Sequence, residues 1–160
     1  MQSSLDADLS MIYERVYVKC GLIMLKLERN AESTVYGACS FRLNDLKIEY
    51  RVSKTTPTKT GQFVTIWKRS EEGITTPFDI SDDIDFVIIT SRSGENLGQF
   101  IFPKSLLVQQ SIFSQNRKGG KRGIRVYPPW DTVHSKQAAK TQSWQTKYFM
   151  TLRDDNATDF

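Results

Sequence analysis

Two stretches of this 160-residue chain carry several cations and no carboxylate. In residues 51–69, Arg51, Lys54, Lys59, Lys68 and Arg69 are interleaved with Thr55, Thr56, Thr58 and Thr60, next to Gly61 and Gln62. In residues 117–125, Arg117, Lys118, Lys121, Arg122 and Arg125 are broken by Gly119, Gly120 and Gly123. The chemistry open to such sets is phosphate binding: cations attract the anion, and hydroxyls and backbone N–H groups fix its register. Glycine in turn lets backbone approach a ligand closely. The plainer alternative for each stretch is a solvated hairpin or loop with ordinary surface lysines. The second is not a nucleoside-triphosphate loop, because no Ser or Thr follows Lys121. Trp67, Tyr127, Trp130 and Trp144 lie in or beside these stretches. Some of them offer faces for base stacking, worth about 1–3 kcal/mol per base, and the others belong to the core.

Other chemistries find little support. His134 is the single histidine and has no neighbouring Cys or His with which to build a zinc cluster. Cys20 and Cys39 are expected to stay reduced and buried. Neither a metal nor a cofactor is implied. A composition of 39% hydrophobic and 25% charged residues is that of a folded protein with a core. The net charge of +4 is modest, so its uneven distribution matters more than its sum. Asp6 and Asp8 stand where a secretion signal would carry Lys or Arg, and no apolar run approaches the roughly 20 residues that span a bilayer. The expectation is a soluble, cytoplasmic protein with no membrane partner.

The elements that must position the basic stretches are readable as patterns. Leu9, Ile12, Tyr13, Val16 and Tyr17 recur at helical spacing, with Asp6 or Asp8 available as a cap. After a break at residues 30–33, Val35, Tyr36, Cys39, Phe41 and Leu43 begin a β-rich stretch that turns at Asn44-Asp45 into a strand over residues 47–53. Residues 62–68 read as the next strand. The nearly continuous apolar run of residues 85–90 reads as a central strand buried on both faces. It should pair antiparallel with residues 98–102 across the turn at 93–96. Pro103 then opens a helix over 104–110, residues 124–127 form a short strand, 135–144 a helix and 148–152 a strand. One domain over residues 1–160 results: an N-terminal helical segment at about 5–28, a β-rich core at about 34–127, a C-terminal helix and strand at about 134–152, and an acidic tail at 153–160.

TPTKTGQFVTIWKR from Thr56, GQFIFPK from Gly98, GKRGIRVYPPWD from Gly120 and TQSWQTKYF from Thr141 together resemble the MepB family, in order and over most of the chain from about Glu32. The resemblance implies an α+β fold whose central mixed, mainly antiparallel β-sheet is flanked by helices, similar to the type II restriction endonuclease core of the PD-(D/E)XK group. Such nucleases need an Asp and an (Asp/Glu)-x-Lys on neighbouring strands, because the carboxylates hold Mg²⁺ and the lysine positions the attacking water. Asp85 is a plausible first carboxylate, but the following strand offers Gln99-Phe100-Ile101. Asp45-Leu46-Lys47 falls in a hairpin turn, Glu49-Tyr50-Arg51 carries Arg in place of Lys, and Glu32 is a lone Glu before a strand. No catalytic residue is therefore assigned. The expected function is binding of nucleic acid, single-stranded DNA favoured, by Arg51, Lys54, Thr56, Lys59, Gln62, Lys68, Arg69, Lys104, Lys118, Lys121, Arg122, Arg125 and Trp130, around a degenerate metal site. The alternatives are a Mg²⁺-dependent nuclease using Asp85, Glu32 or Glu49, and a module whose basic loops bind an anionic small molecule or acidic partner.

Overall fold

Asp6 accepts a hydrogen bond from Leu9 N at 3.1 Å and so caps the first helix, α1 (Ala7–Ile12), of a computed structural model that describes residues 6–29, 36–152 and 158–159. The helical path continues through one π-helical turn (Tyr13–Tyr17) and one 3₁₀ turn (Val18–Cys20). It stops where Gly21 takes the left-handed conformation, φ 79°, and its N–H bonds to Val18 O. The helical segment expected to reach residue 28 thus ends at Cys20. Beyond the glycine the chain turns into strand β1 (Met24–Arg29), which pairs with β2 (Cys39–Leu43) around a bulge between Leu25 and Glu28. The expected break at 30–33, together with Glu32 and Val35, lies outside the described residues.

β2 turns at Asn44-Asp45 into β3 (Leu46–Val52), and β8 (Phe86–Ser93) turns at Gly94-Glu95 into β9 (Asn96–Pro103), both as expected. β3 and β8 pair in parallel, with Tyr50 opposite Ile88. A parallel pair cannot be closed by a tight turn. The intervening chain is therefore a crossover, and it builds β4 (Lys54–Thr55), β5 (Gln62–Thr65), β6 (Lys68–Arg69) and β7 (Thr75–Thr76) outside the main sheet. After α2 (Lys104–Gln109), strand β10 (Gly123–Val126) joins the crossover in a three-stranded sheet of order β10-β5-β4. α3 (Lys136–Thr146) then leads back to β11 (Phe149–Leu152) beside β9. The main sheet has the order β1-β2-β3-β8-β9-β11-β12, with β12 (Thr158–Asp159) at its edge. This is the expected α+β fold with a mixed, mainly antiparallel sheet.

β8 is buried on both faces because cores lie on both sides of it. Ile88 meets Leu9, Ile12, Val16 and Tyr17 of the N-terminal helical segment, whereas Val87 and Ile89 meet Val64, Ile66, Phe78 and the β10 residues Ile124 and Val126. The N-terminal segment thus covers one face and the crossover sheet the other. The polar residue at the centre of β9 is paired. Gln99, fully buried, accepts from Tyr17 Oη and donates to Thr90 Oγ1 at 3.1 Å. Burial raises the Tyr17 phenol well above its ordinary range.

Arg51 fastens the crossover sheet to the main sheet. The residue is 1% exposed, and its guanidinium donates to the carbonyl oxygens of Thr65 (3.1 Å), Trp67 (3.4 Å) and Tyr50 (2.9 Å) and to Glu49 Oε2 (3.1 Å). These bonds explain why the strand expected over 62–68 breaks after Thr65: two of its carbonyls turn inward to the guanidinium. Gln62, also 1% exposed, makes the second fastening, accepting from Ser53 Oγ at 2.6 Å and donating to Arg92 O at 3.1 Å. Arg51 and Gln62 are therefore structural residues and not the surface phosphate contacts expected of them. Glu49 has its pKa raised by burial, against the pull of Arg51.

Removing one partner from a buried ion pair leaves an uncompensated charge. Arg51→Met should lower stability to urea unfolding by about 3–5 kcal/mol, while Lys54→Ala on the exposed neighbouring strand stays within about 0.5 kcal/mol. Of the two cysteines expected to be buried, Cys39 is, its thiol pushed up to about 11 mainly by burial, but Cys20 is exposed. A thiol reagent at neutral pH should label Cys20 in the folded protein and Cys39 only in denaturant, with mass spectrometry locating the adduct.

Candidate functional site

The two basic stretches meet because β5 and β10 pair antiparallel, Phe63 opposite Arg125 and Val64 opposite Ile124. Val64, Ile124 and Val126 alternate inward to the core. Phe63 and Arg125 alternate outward, where they border a groove of about 500 Å³ between this sheet and α3. Lys59 from the β4–β5 connection, Lys121 and Arg125 supply three cations to it, and no Asp or Glu is among its lining residues. Lys59 and Lys121 are exposed and have no ion-pair partner among the described residues. Arg125 uses one guanidinium nitrogen on Thr56 Oγ1 (3.0 Å) and Thr60 O (3.3 Å), tying the Lys59 loop to β10. Thr56 therefore acts as an acceptor that positions Arg125.

The opposite wall is α3, capped by Ser135, whose Oγ accepts from Ala138 N at 3.0 Å. Two glutamines clamp this helix to the sheet. Gln145, 1% exposed, accepts from Tyr127 N at 2.8 Å and donates to Arg125 O at 3.1 Å. Gln142 donates to Pro128 O at 3.0 Å and Asp131 O at 2.9 Å. Trp144 packs on the buried Phe102 with ring centroids 5.6 Å apart. The groove thus has fixed walls, a cationic rim, aromatic carbon from Phe63, Tyr127 and Trp144, and hydroxyl and amide groups from Thr141 and Gln137.

The remaining expected contacts disperse. The acidic linker captures three lysines: Lys68 pairs with Asp82 at 2.6 Å, Lys47 pairs with Asp83, and Lys104 donates to the carbonyl oxygens of Ile80 and Asp82. The Lys47 hydrogen bond holds the Asp83 carboxyl below its usual range. Arg69 lies over the Trp67 ring, 5.6 Å from its centroid, and donates to Gly73 O; Arg122 reaches Thr75 Oγ1 at 3.4 Å. Lys54 and Lys118 are exposed but do not line the groove. Trp130 is half-buried with its edge toward Phe149, and Nε1 has no hydrogen-bond partner among the described residues.

The glycines serve packing more than ligand approach. A Cβ on Gly123 would stand 2.5 Å from the Phe63 ring, one on Gly61 2.8 Å from the Tyr127 ring, and one on Gly120 2.8 Å from Pro77. Two of the rings that line the groove, Phe63 and Tyr127, are seated on glycine. Phe63, Gln137 and Thr141 were not among the expected contacts. Their signal is the helical spacing of Ala138, Thr141 and Gln145, together with the alternation of β5.

Among the described residues the nuclease candidates do not converge either. Asp85 Oδ2 accepts from Lys47 N at 2.8 Å, at the end of β8 that pairs with Pro103, whereas Gln99 lies opposite Thr90, farther along the strand. Glu49 is bound to Arg51, and Asp45 lies in the β2–β3 turn. Among the described residues no group of three or more His, Cys, Asp or Glu side chains is disposed to hold a metal ion. No described helix is long and apolar enough to cross a membrane.

The MepB-like family model matches residues 30–151, a span that includes the three-stranded sheet, the main sheet apart from its edge strands, and every residue that lines the groove. The chain belongs to the MepB-like family. A crystal structure of MepB superposes with a TM-score of 0.78 at 30% identity, covering 92% of this chain and 97% of that one. No curated protein matches the chain. Three of the four segments that carry the MepB resemblance meet at the groove: Lys59 and Phe63 from the first, residues 121–127 from the third, and Thr141, Trp144 and Gln145 from the fourth. The GQFIFPK segment is β9 beneath them, where Phe102 supports Trp144.

Leaving the Tyr127 N–H and the Arg125 carbonyl unpaired is the cost of losing Gln145, about 1–3 kcal/mol per buried group. Gln145→Leu should therefore lower the unfolding free energy by at least about 2 kcal/mol, whereas Gln137→Ala, exposed on the same helix, stays within about 0.5 kcal/mol. Urea titration of both variants makes the comparison.

Proposed function

We propose that this MepB-like protein binds single-stranded nucleic acid, with single-stranded DNA as the ligand, along the groove between α3 and the β10-β5-β4 sheet. The observation that carries this reading is the union of the two basic stretches by β5–β10 pairing, which gathers Lys59, Lys121 and Arg125 around one groove with no carboxylate. Cations on a rigid wall track a phosphate backbone, and half-buried aromatic rings beside them offer stacking to bases of any sequence. α3 turns Gln137, Ala138, Thr141 and Gln145 toward the groove, while its exposed Lys136 and Lys140 do not line it.

On this reading the mixed sheet is a restriction-endonuclease-like core that binds without cutting. Support comes from the positions where cleavage would need metal ligands. Gln99 occupies the second strand and is committed to Tyr17 and Thr90, and the Asp85 carboxylate is engaged at the far end of β8. The acidic linker has already drawn Lys68 and Lys104 into local bonds, so they add nothing to a phosphate track.

Three cations neutralising three phosphates of a single strand give a slope of log K against log salt near −2, at about −0.7 per phosphate. Fluorescence anisotropy with a labelled oligothymidylate measures it. The Lys59→Ala/Lys121→Ala double variant should weaken binding at least about tenfold near 0.1 M salt and bring the slope toward about −0.7. Lys68→Ala should leave both within about twofold, since its charge is already paired. Unchanged binding in the double variant overturns the assignment of this groove.

A further inference from the structure

We infer that the groove is a single-base pocket: one unpaired base of the bound strand leaves the stack and enters it while the flanking phosphates lie on Lys59, Lys121 and Arg125. The inference rests on the strand-binding role proposed above and adds to it the unit recognised. A phosphate track needs a cationic surface and nothing deeper. Here the cations stand at the rim of a recess of about 500 Å³, inside the range of roughly 300–1,000 Å³ in which small-molecule sites fall. The recess is lined by what a base uses and a phosphate does not.

Phe63 and Tyr127 are half-buried, each seated against a glycine, so that the ring is held in place and its remaining surface faces the groove. Trp144 is braced by Phe102. A base inserted among such rings stacks without cost in ordering them. Across from them α3 presents Ala138, whose small side chain leaves the space open, with Thr141 and Gln137 able to meet the polar edge of a base. The Gln145 and Gln142 hydrogen bonds hold α3 at a fixed distance from β10, so the pocket keeps its width in the absence of ligand. A base reaches such a pocket only when it is unpaired or flipped out of a duplex, which is a physical reason for a preference for single strands.

The test uses the full chain, a short oligothymidylate, and a strand of equal length made of abasic residues, which keeps the phosphates and removes the bases. One stacked base is worth about 1–3 kcal/mol, so the abasic strand should bind roughly 5- to 150-fold more weakly. Ala138→Trp fills the recess without altering any charge. Its melting temperature is measured alongside, and it should bind both strands alike, at the wild-type abasic level and with the wild-type salt slope. Equal affinity of the wild-type protein for the two strands overturns the single-base pocket and leaves phosphate binding standing, as does a folded Ala138→Trp protein that still discriminates between them. A perfectly paired duplex bound as tightly as the oligothymidylate overturns it as well. Absence of salt-dependent binding to either strand removes the proposed function and the pocket together. The abasic comparison is made on the wild-type protein and decides the matter even if the tryptophan variant does not fold.

Discussion

The parallel pairing of β3 with β8 is the constraint from which the rest of the molecule follows. It forbids a hairpin between them and obliges the chain to leave the sheet at Val52 and return at Phe86. Nearly all of the first basic stretch lies in that excursion. An excursion of this kind must be fastened, and the fastening here is polar: the Arg51 guanidinium reaches back from β3 to the carbonyls of Thr65 and Trp67, and Gln62 reaches from β5 to Ser53 and Arg92 O. A buried guanidinium is costly unless its donors are met, and this one meets three carbonyls and a carboxylate. Glu49 is the counter-charge that makes the burial tolerable, and burial raises its own pKa against the pull of Arg51. The same fastening fixes the position of β5, and β5 is the strand on which β10 forms.

Electrostatics then sorts the cations by what lies next to them. The linker that closes the crossover carries Asp79, Asp82, Asp83 and Asp85, and it folds against the β3–β8 end of the sheet, where it meets Lys47, Lys68 and Lys104. Where α3 approaches β10, the chain offers glutamine, serine and threonine. A net charge of only +4 therefore divides into a compensated side and a side where the positive potential is unopposed. Salt acts mainly on the second.

Much of this was legible in the amino-acid pattern and some was not, for identifiable reasons. The β2–β3 and β8–β9 hairpins, the Pro103-opened helix, the Ser135-capped helix and the two-faced burial of β8 follow from local alternation and turn chemistry, which act between residues close in sequence. The burial of Arg51 and Gln62 does not follow, because residue type reports charge and hydrogen-bonding capacity but not which strand will pass overhead. Apart from Tyr50 O, their carbonyl partners are 14 to 30 residues away. The end of the first helix was missed at a position that carried a signal, Gly21, which the continuing apolar residues Leu22, Ile23 and Leu25 concealed. The glycines of the second basic stretch are expected to let backbone approach a ligand. What comes close to Gly123 and Gly120 is Phe63 and Pro77.

That misreading bears on how the groove works. Glycines that admit a ligand's phosphates would make the loop itself the site and leave it mobile until bound. Glycines that admit aromatic rings do the opposite, since they lock Phe63 to β10 and Tyr127 to the Lys59 loop before any ligand arrives. The two glutamines of α3 complete the same task from the other wall. On the proposed reading, ordering is then completed on folding and not repeated on binding, so few cations suffice where a flexible basic loop would need many. On that reading three cations around a fixed recess form a weaker electrostatic trap than a long basic tract but a more selective one, because only a ligand that places negative charge at the rim and apolar, planar surface within it uses the whole site.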